Sequence, residues 1–542
     1  MGAIATTPRI SVSDAVLYGL SAAFALITAF TSTLPPHRAW GSIAWWGYAA
    51  AFLITLVVLR RLLLTALVFV AVTLAPLITQ AVQRAGGRTD RAQEEVLVVE
   101  QMGRRLLDTG TPYLDRPDIA ALPLSERLLG YSPYQPGMSI FGLPRAVFGS
   151  FWWTDARVWF AVATVVAMLW TLRLLADLVA PPGLVLVAQS VAVLPICTLT
   201  LTTGGDDLPV VSLALLAMAF TARHRWTAAG LAIGLAGALK LFALPVALVL
   251  LALAFFVSRR TLAFAAGAFG LPLLVMLPAL AVAPSAFVEN VLRFPAGHGL
   301  VTSPAQSPLP GQLIASSTGA GRTIALSLLA LAGIAIGVWL LRRPPRSTQA
   351  AALVVTVGLT AAIMLIPSTR FGYLLYPAAF AALWWALRTS DSLSDPTSLS
   401  DPTSPSSPTS LSTPTSPSAA PSPGGHGSVS GGASSGGPES EAPSSDGREP
   451  PDPGATPSGH QAASSDDPAP EPGGALSGAA DRGPGSETAS SDGREPDSEG
   501  APSGEVGCGP DSEGVPSGEV GREPGSGTAP AGGRWPGPSP AA

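Results

Sequence analysis

Ionisable side chains beside long apolar runs are the residues of this sequence that could do chemistry. Lys240, in the stretch GLAGALKLFALP at residues 234–245, is the one lysine of the chain. An ammonium at bilayer depth costs about 2.5–3.5 kcal/mol on insertion scales. Lys240 therefore has either a functional role or a side chain that snorkels to the lipid headgroups.

Two pairs of adjacent carboxylates lie outside the apolar runs. Glu94 and Glu95 begin a stretch with apolar residues at helical spacing up to Gly110, which predicts an amphipathic helix with a glycine C-cap. Asp206 and Asp207 follow two glycines in TTGGDDLPV, which predicts a tight turn. A helix amino terminus favours the ionised form of a carboxylate. Glu94 and Glu95 are thus interpreted either as reactive groups or as groups that only stabilise the helix start.

Other candidate residues are a cation, several aromatic rings and a histidine. Arg370 lies in PSTRFGYLLYP, at the edge of an apolar run. Tyr131, Tyr134 and Trp152 offer ring faces on which a ligand could stack, or they form an interfacial aromatic belt. His298 has no companion histidine at ligand spacing, and two adjacent acids make a poor metal site by themselves. A divalent metal at Asp206 and Asp207 is possible but is not the favoured interpretation.

Apolar helices must position these side chains. Of the 542 residues, 48% are hydrophobic and only 12% are charged, and runs of about 18 or more apolar residues are typical of bilayer spans. Twelve spans are predicted, at residues 11–31, 42–59, 62–82, 155–172, 184–202, 208–222, 227–239, 241–257, 261–281, 323–341, 348–367 and 371–387. The predicted class is an all-α polytopic membrane protein over residues 1–388. The first run lacks the features of a removed signal peptide.

The arginines between the spans predict the orientation. Short loops rich in arginine face the cytoplasm, and with twelve spans the arginine-rich turns all fall on one side. These arginines are Arg60, Arg61, Arg173, Arg223, Arg225, Arg259, Arg260, Arg342, Arg343 and Arg346. Both termini are then cytoplasmic, and the outer face carries the loops 83–154 and 282–322, the Asp206–Asp207 turn, Lys240 and Arg370. All the candidate chemistry is therefore predicted on the extracytoplasmic face of a cell membrane.

The segment 389–542 has a different composition. It consists of Ser, Pro, Gly, Thr, Asp and Glu with few large apolar groups, and it repeats itself, as in DSEGAPSGEVG and DSEGVPSGEVG. Such a segment buries too little apolar surface to offset the entropy of ordering. It is predicted to be a disordered cytoplasmic tail, either without a role or as an interaction or phosphorylation segment.

Composition also argues against several kinds of site. There is no basic domain or arginine patch with interleaved aromatics, so nucleic acid is not an expected partner. The two cysteines, Cys197 and Cys508, cannot form a disulfide framework or a cysteine-based zinc site. No nucleophilic serine elbow and no phosphate-cradling glycine loop is present.

The order of short motifs along residues 10–388 resembles that of a known family. These motifs are Glu95 followed by GTPY (110–113), YSPYQPG (131–137), TGGDDLPV (203–210), GLAGALKLFALP (234–245), SPAQSPLPG (303–311) and RFGYLLYP (370–377). The chain resembles GT-C fold glycosyltransferases of the glycosyltransferase 87 type, an actinobacterial mannosyltransferase-like group. The family's loop acid is usually Asp, whereas this chain offers Glu94 and Glu95, with Asp90 one turn earlier. Two spans also precede what is normally the first core helix.

The resemblance implies an inverting hexosyltransferase, with mannose as the first candidate sugar. The donor would be a polyprenyl-phosphate sugar and the acceptor an extracytoplasmic glycolipid or glycan; no cofactor is firmly implied. Glu95, or else Glu94, would be the general base, and Lys240 and Arg370 would bind the leaving phosphate.

The remaining site residues would bind the sugar. Asp206 and Asp207 would hold sugar hydroxyls or a divalent ion, and Tyr131 and Tyr134 would stack on a sugar ring.

Two other kinds of protein fit twelve spans with both termini inside. A secondary transporter would place ionisable residues at the midplane of broken helices and show repeated halves, which the sequence does not. A non-catalytic membrane scaffold would depend on the segment 389–542, whereas an enzyme would retain transfer without it.

Overall fold

The computed structural model describes residues 12–57 and 60–394. Within these ranges the chain is helical, and its one β-type contact is an isolated bridge between Gln306 and Thr369. The prediction of an all-α polytopic membrane protein is confirmed. The predicted disordered tail from residue 395 onwards, including Cys508, lies outside the described residues, as do residues 1–11.

Seven helices of the described ranges are long and apolar enough to cross a membrane. They are Val12–Thr31, Arg61–Ala85, Ala156–Leu175, Pro181–Thr203, Thr261–Val282, Gly321–Arg342 and Thr348–Leu365. Three shorter apolar helices are Asp207–Ala222, Trp226–Leu239 and Leu241–Val257. The two other predicted spans coincide with Pro35–Thr55 and Leu375–Ser394. Within the described residues each of the twelve predicted spans thus coincides with one or two helices, whereas the number that crosses a bilayer and the side each end faces stay predictions.

Proline explains two differences between the predicted and observed helix bounds. The second helix begins at Pro35 rather than at residue 42, because proline is well suited to the first helical positions. The predicted span 184–202 is broken into Pro181–Ala192 and Pro195–Thr203, since the residue before a proline prefers an extended backbone. The last helix follows a 3₁₀ turn, Phe371–Leu374, and continues past the predicted boundary at residue 388.

The predicted outer loop 83–154 contains a set of short helices. Its first helix is Glu94–Thr109, and Gly110 ends it with a left-handed φ of 75°, so the predicted amphipathic helix and its glycine C-cap are confirmed. The further helical segments are Arg116–Ala121, Arg127–Gly130, Pro136–Phe141, Leu143–Phe148 and Trp152–Thr154. A side chain at Gly142 would overlap the carbonyl oxygen of Val99, so glycine lets the segment pack directly on the first helix.

The second predicted outer loop, 282–322, contacts the first. It contains Pro284–Phe287, a π-helical turn at Val288–Arg293 and the helix Pro310–Ser317. The side-chain oxygen of Asn290 accepts a hydrogen bond from the Ser132 amide at 2.7 Å, and its Nδ2 donates to the Leu114 carbonyl at 2.7 Å. The buried Asn290 amide therefore ties the two loops together.

The helix Trp226–Leu239, which leads to Lys240, packs closely against a neighbour. A side chain at Gly234 would overlap the Gly267 carbonyl, and one at Gly230 would overlap the Phe264 carbonyl. Glycines four residues apart let two membrane helices approach closely. This contact fixes the helix whose end presents the lone lysine.

Candidate active site

Lys240 lies between the two aspartates of the predicted tight turn. Its Nζ atom is 2.8 Å from Asp206 Oδ2 and 2.5 Å from Asp207 Oδ1, and its side chain is 11% exposed. The structure therefore does not support the snorkelling interpretation, because the ammonium points at buried carboxylates.

Backbone geometry makes this contact possible. Asp207 begins the helix Asp207–Ala222, and Lys240 directly follows the helix Trp226–Leu239. Gly205 has a left-handed φ of 91°, and a Cβ atom there would lie 2.9 Å from the Phe160 ring. A glycine is required at this position, which explains why two glycines precede the aspartates.

Three tyrosines surround the lysine and the aspartates. The Tyr376 hydroxyl donates to Asp207 Oδ1 at 2.7 Å. The Lys240 ammonium lies 5.5 Å from the Tyr134 ring centre and 5.2 Å from that of Tyr373, distances at which a cation is attracted to an aromatic face. We call Asp206, Asp207, Lys240, Tyr134, Tyr373 and Tyr376 the lysine cluster.

The lysine cluster holds two carboxyl groups and one ammonium in a buried place. Burial raises the pKa of Asp206, the Asp207 carboxylate raises it further, and Lys240 opposes the rise. With both aspartates ionised the cluster carries excess negative charge. It is therefore better suited to accept hydrogen bonds from hydroxyl groups than to bind another anion.

Glu95 forms an ion pair with Arg370. The contact joins Glu95 Oε1 to Arg370 Nη1, and the side chains are 13% and 31% exposed. A Cβ atom on Gly204 would lie 3.6 Å from Glu95 Oε2, which places this carboxylate beside the turn that leads to Asp206. The structure thus brings Glu95, Arg370 and the aspartate turn to one place.

The two other candidate bases have different surroundings. Glu94 is exposed in the first turn of the same helix. Asp90 is 39% exposed and pairs with Arg88 and Arg91, and the hydrogen bonds from Arg88 lower its pKa to about 2. Of the three acids, Glu95 is the one in contact with Arg370.

The two predicted stacking tyrosines lie in different places. Tyr134 belongs to the lysine cluster. Tyr131 is 1% exposed and stacks on Phe294, with ring centres 4.1 Å apart. Its hydroxyl donates to Glu289 Oε1 at 3.0 Å and accepts from the Leu300 amide at 2.7 Å. Tyr131 thus positions the second outer loop, and its buried ring is not free to stack on a sugar.

A buried ion network behind the site was not identified from the sequence. Arg157 is fully buried, pairs with Asp155 at 2.8 Å and donates to the Thr202 carbonyl at 2.9 Å. Arg84 bridges Asp155 and Glu100 at 3.0 and 2.6 Å. The network supports the chain just before the aspartate turn. Asp155 and Arg157 at the start of Ala156–Leu175 resemble an ordinary helix cap, so residue type and spacing did not indicate this network.

Other residues near the site were also missed. Tyr373 and Tyr376 stand in the RFGYLLYP motif but were not identified as site residues, although they follow Arg370 closely. His37 hydrogen-bonds Gln93 and lies near Arg370. The signal for His37 is its position in the polar break LPPHR between two apolar runs.

A metal ion has no evident set of ligands in the part of the chain that the structure describes. No group of three or more His, Cys, Asp or Glu side chains occurs there. The gap between Asp206 and Asp207, where a divalent ion would lie, is taken by the Lys240 ammonium.

The apolar helices define a polytopic membrane protein, and charged residues cluster at the ends of several of these helices. The sequence model of Glycosyltransferase family 87 matches residues 133–369, a region that includes Asp206, Asp207 and Lys240. Over these residues the chain is similar to glycosyltransferase family 87.

Curated proteins and solved structures show little similarity to this chain. No curated protein matches the chain. Among solved structures, the chain is similar to ArnT from Cupriavidus metallidurans in the apo state, with 14% identity and a TM-score of 0.35. That alignment covers 56% of this chain and 56% of ArnT.

Proposed function

We propose that this protein transfers a hexose, with mannose as the first candidate, from a polyprenyl-phosphate donor to a glycolipid or glycan acceptor. The transfer inverts the anomeric centre, takes place at the extracytoplasmic face and uses Glu95 as general base. The observation that carries the proposal is the Glu95–Arg370 ion pair beside the Asp206 turn, since it puts a carboxylate and a phosphate-binding cation in contact.

Arg370 is suited to the donor phosphate. It is 31% exposed, and its guanidinium can bind two phosphate oxygens at once. Lys240 is already paired with two carboxylates, so a phosphate approaching it would meet excess negative charge. Arg370 is therefore the cation that contacts the phosphate, and Lys240 acts by holding Asp206 and Asp207.

Donor binding would also release the base. Arg370 pairs with Glu95, and a donor phosphate would compete with that carboxylate for the guanidinium. Once the phosphate has taken part of the Arg370 hydrogen bonding, Glu95 is free to accept a proton from an acceptor hydroxyl. The free carboxylate of Glu95 and the bound donor are then present in the same complex.

In the reaction, Glu95 removes the proton from the acceptor hydroxyl as its oxygen attacks the anomeric carbon of the donor. The bond between that carbon and the phosphate oxygen breaks, and the electron pair leaves with the polyprenyl phosphate. A positioned base contributes typically 10²–10⁴-fold to the rate. Arg370 stabilises the charge that develops on the phosphate, and Asp206 and Asp207 accept hydrogen bonds from sugar hydroxyls.

An apolar cavity beside the lysine cluster supports a lipid-linked donor. It has a volume of about 190 Å³, and its lining includes Leu241, Leu244, Phe269 and Met276, with Gln135 as a polar residue. A prenyl chain entering from the bilayer would find apolar side chains immediately after Lys240. The phosphate at the end of that chain would then lie near the charged site.

A donor comparison tests this function. Full-length protein in vesicles would be given radiolabelled polyprenyl-phosphate mannose or GDP-mannose together with a lipid extract as acceptor. We expect label in the lipid fraction from the polyprenyl donor alone, with an anomeric configuration opposite to that of the donor. Transfer from GDP-mannose, or retention of the anomeric configuration, would contradict the proposal.

A further inference from the structure

Two helices precede the helix that leads into the first outer loop. They are Val12–Thr31 and Pro35–Thr55, and we call them the N-terminal hairpin. A side chain at Gly41 would overlap the Ala25 carbonyl oxygen, so the two helices pack backbone to backbone. The hairpin lies outside residues 133–369, the region that is similar to glycosyltransferase family 87, and nothing in the proposed transfer step uses it.

Buried polar side chains fix the N-terminal hairpin on the rest of the protein. Tyr48 is fully buried, and its hydroxyl donates to the Val193 carbonyl at 2.7 Å and lies 2.9 Å from Thr198 Oγ1. Trp40 is also fully buried, and its Nε1 atom donates to the Val72 carbonyl at 2.9 Å. These bonds hold the hairpin against the segments that lead to the aspartate turn and to the first outer loop.

His37 lies one turn before Trp40 on the same helix of the hairpin. Residues three apart on a helix are neighbours on its surface, so the buried Trp40 also directs His37 towards the protein. His37 is half-buried, hydrogen-bonds the side chain of Gln93 and lies near Arg370. The hairpin thus brings an imidazole to the surroundings of the Glu95–Arg370 ion pair.

Gln93 connects His37 to the aspartate turn and to the proposed base. It is the N-cap residue of the first helix of the outer loop. Its amide donates to the Thr203 carbonyl and its side-chain oxygen accepts from the Thr203 hydroxyl, both at 2.9 Å. A Cβ atom on Gly204 would lie 3.1 Å from Gln93 Oε1 and 3.6 Å from Glu95 Oε2. A displacement of Gln93 would therefore also displace the carboxylate two residues later.

The Glu95–Arg370 contact cannot by itself orient the base during transfer. A donor phosphate would compete with Glu95 for the Arg370 guanidinium, so another contact must hold the helix start that carries Glu95. The hydrogen bonds of Gln93 to His37 and Thr203 do not use that guanidinium. They therefore remain available when the donor is bound.

We propose that His37 is a positioning residue for the transfer reaction. Through Gln93 it holds the helix start that carries Glu95, and so directs the carboxylate towards the acceptor hydroxyl. The N-terminal hairpin is then part of the reaction centre as well as part of the membrane domain. This inference rests on the proposed function, because Glu95 needs this orientation only if it acts as the base.

Replacement of His37 tests the positioning role in transfer from radiolabelled polyprenyl-phosphate mannose by the full-length chain. His37→Phe is expected to lower kcat about 10- to 10²-fold, the scale on which misplacing a catalytic group by about 1 Å acts. His37→Asn and His37→Gln put an amide N–H near the place of one or the other imidazole nitrogen. At least one of these two should keep most of the wild-type kcat. Wild-type kcat in His37→Phe, or an equal loss in all three variants, would overturn the proposal.

A double-mutant cycle separates positioning from general destabilisation. His37→Phe would be measured with Glu95 intact and again in the Glu95→Gln protein, by initial rates at saturating donor. If His37 acts through Glu95, its replacement should lower the residual transfer by no more than about twofold once the carboxylate is absent. An equal fold loss in both backgrounds would show that His37 only supports the fold.

Tyr48→Phe is the matched control for the hairpin. It removes one buried hydroxyl from the same helix without touching Gln93. It should lower Tm at least as much as His37→Phe does, but should lower kcat less. If Tyr48→Phe lowers kcat as much as His37→Phe does, weaker docking of the hairpin explains the effect and the proposal fails.

Thermal unfolding tests the contact between His37 and Gln93 without transfer. His37→Phe, Gln93→Leu and the double variant would be compared by their Tm in detergent. The double variant should lose less than the sum of the two single losses, because the second substitution removes a hydrogen bond that is already broken. Additive losses would overturn the contact and the positioning role. If the losses are not additive but neither wild type nor any variant transfers sugar, the proposed function fails and the positioning role falls with it, while the contact stands.

Discussion

Glu95 and Arg370 form an ion pair across 275 positions of sequence. The pair joins the first turn of the first outer loop helix to the segment that precedes the last predicted span. It also lies beside the turn that carries Asp206 and Asp207. A carboxylate from the first outer loop and a cation from near the last predicted span therefore meet beside the aspartate turn.

Replacing Arg370 tests its contact with the donor phosphate. Arg370→Gln is expected to lower kcat/KM for the polyprenyl donor about 10²-fold, the size of effect typical for one lost group that stabilises developing charge. Arg370→Lys should lose less, because it keeps the charge but not the two-pronged geometry. Initial rates at varied donor concentration measure both.

The control for Arg370 is Arg346→Gln, which removes an exposed arginine from a predicted cytoplasmic turn. It should transfer like wild type. If Arg370→Gln and Arg346→Gln have equal kcat/KM for the donor, Arg370 does not bind the phosphate.

Removing the lone lysine tests the buried pairing. Lys240→Met is expected to lower the free energy of unfolding by about 3–5 kcal/mol, because loss of one partner leaves buried carboxylates unpaired. Adding Asp206→Asn to Lys240→Met should recover part of the loss, since it removes one uncompensated charge. Thermal unfolding in detergent compares these variants with Arg259→Met, which changes an exposed cation. A snorkelling lysine would make Lys240→Met and Arg259→Met equally mild.

The raised pKa of Asp206 predicts a pH dependence of stability. Burial raises this pKa, so the folded protein binds the proton more tightly than the unfolded chain does. Acidification through that range, from pH 7 towards pH 5, therefore stabilises the fold. As the pH falls from 7 to 5, we expect the Tm of wild type to rise relative to the Tm of Asp206→Asn. Identical changes of Tm in the two proteins would show that Asp206 does not titrate in this way.

The apolar runs predicted the helices well because hydrophobic periodicity is a local property. Within the described residues each predicted span coincides with one or two helices, and Gly110 ends the first loop helix as expected. The errors in helix bounds lie at Pro35 and Pro195, where proline starts a helix that composition alone places elsewhere.

The partners of the charged residues could not be predicted in the same way. Lys240 meets Asp206 and Asp207 because of how Trp226–Leu239 packs through Gly230 and Gly234. A single sequence reports spacing along the chain and carries no direct information on which helices are neighbours. The sequence thus identified the aspartates and the lysine as candidates but left open whether the lysine faces lipid or protein.

Tyr131 illustrates the opposite difficulty. An aromatic residue in an outer loop is equally typical of a stacking surface and of a small core. In this fold it is buried against Phe294 and supports the loop that carries Leu300. Burial of this kind depends on contacts between two loops far apart in sequence, so residue type alone does not report it.

The most direct test of Glu95 as the general base compares Glu95→Gln with Glu94→Gln in transfer from radiolabelled polyprenyl-phosphate mannose to membrane lipids. The two substitutions remove the same charge from the same helical turn, but only Glu95 contacts Arg370. We expect a loss of about 10²–10⁴-fold in kcat for Glu95→Gln and near wild-type transfer for Glu94→Gln, with equal expression. Undiminished transfer by Glu95→Gln would contradict its role as the general base.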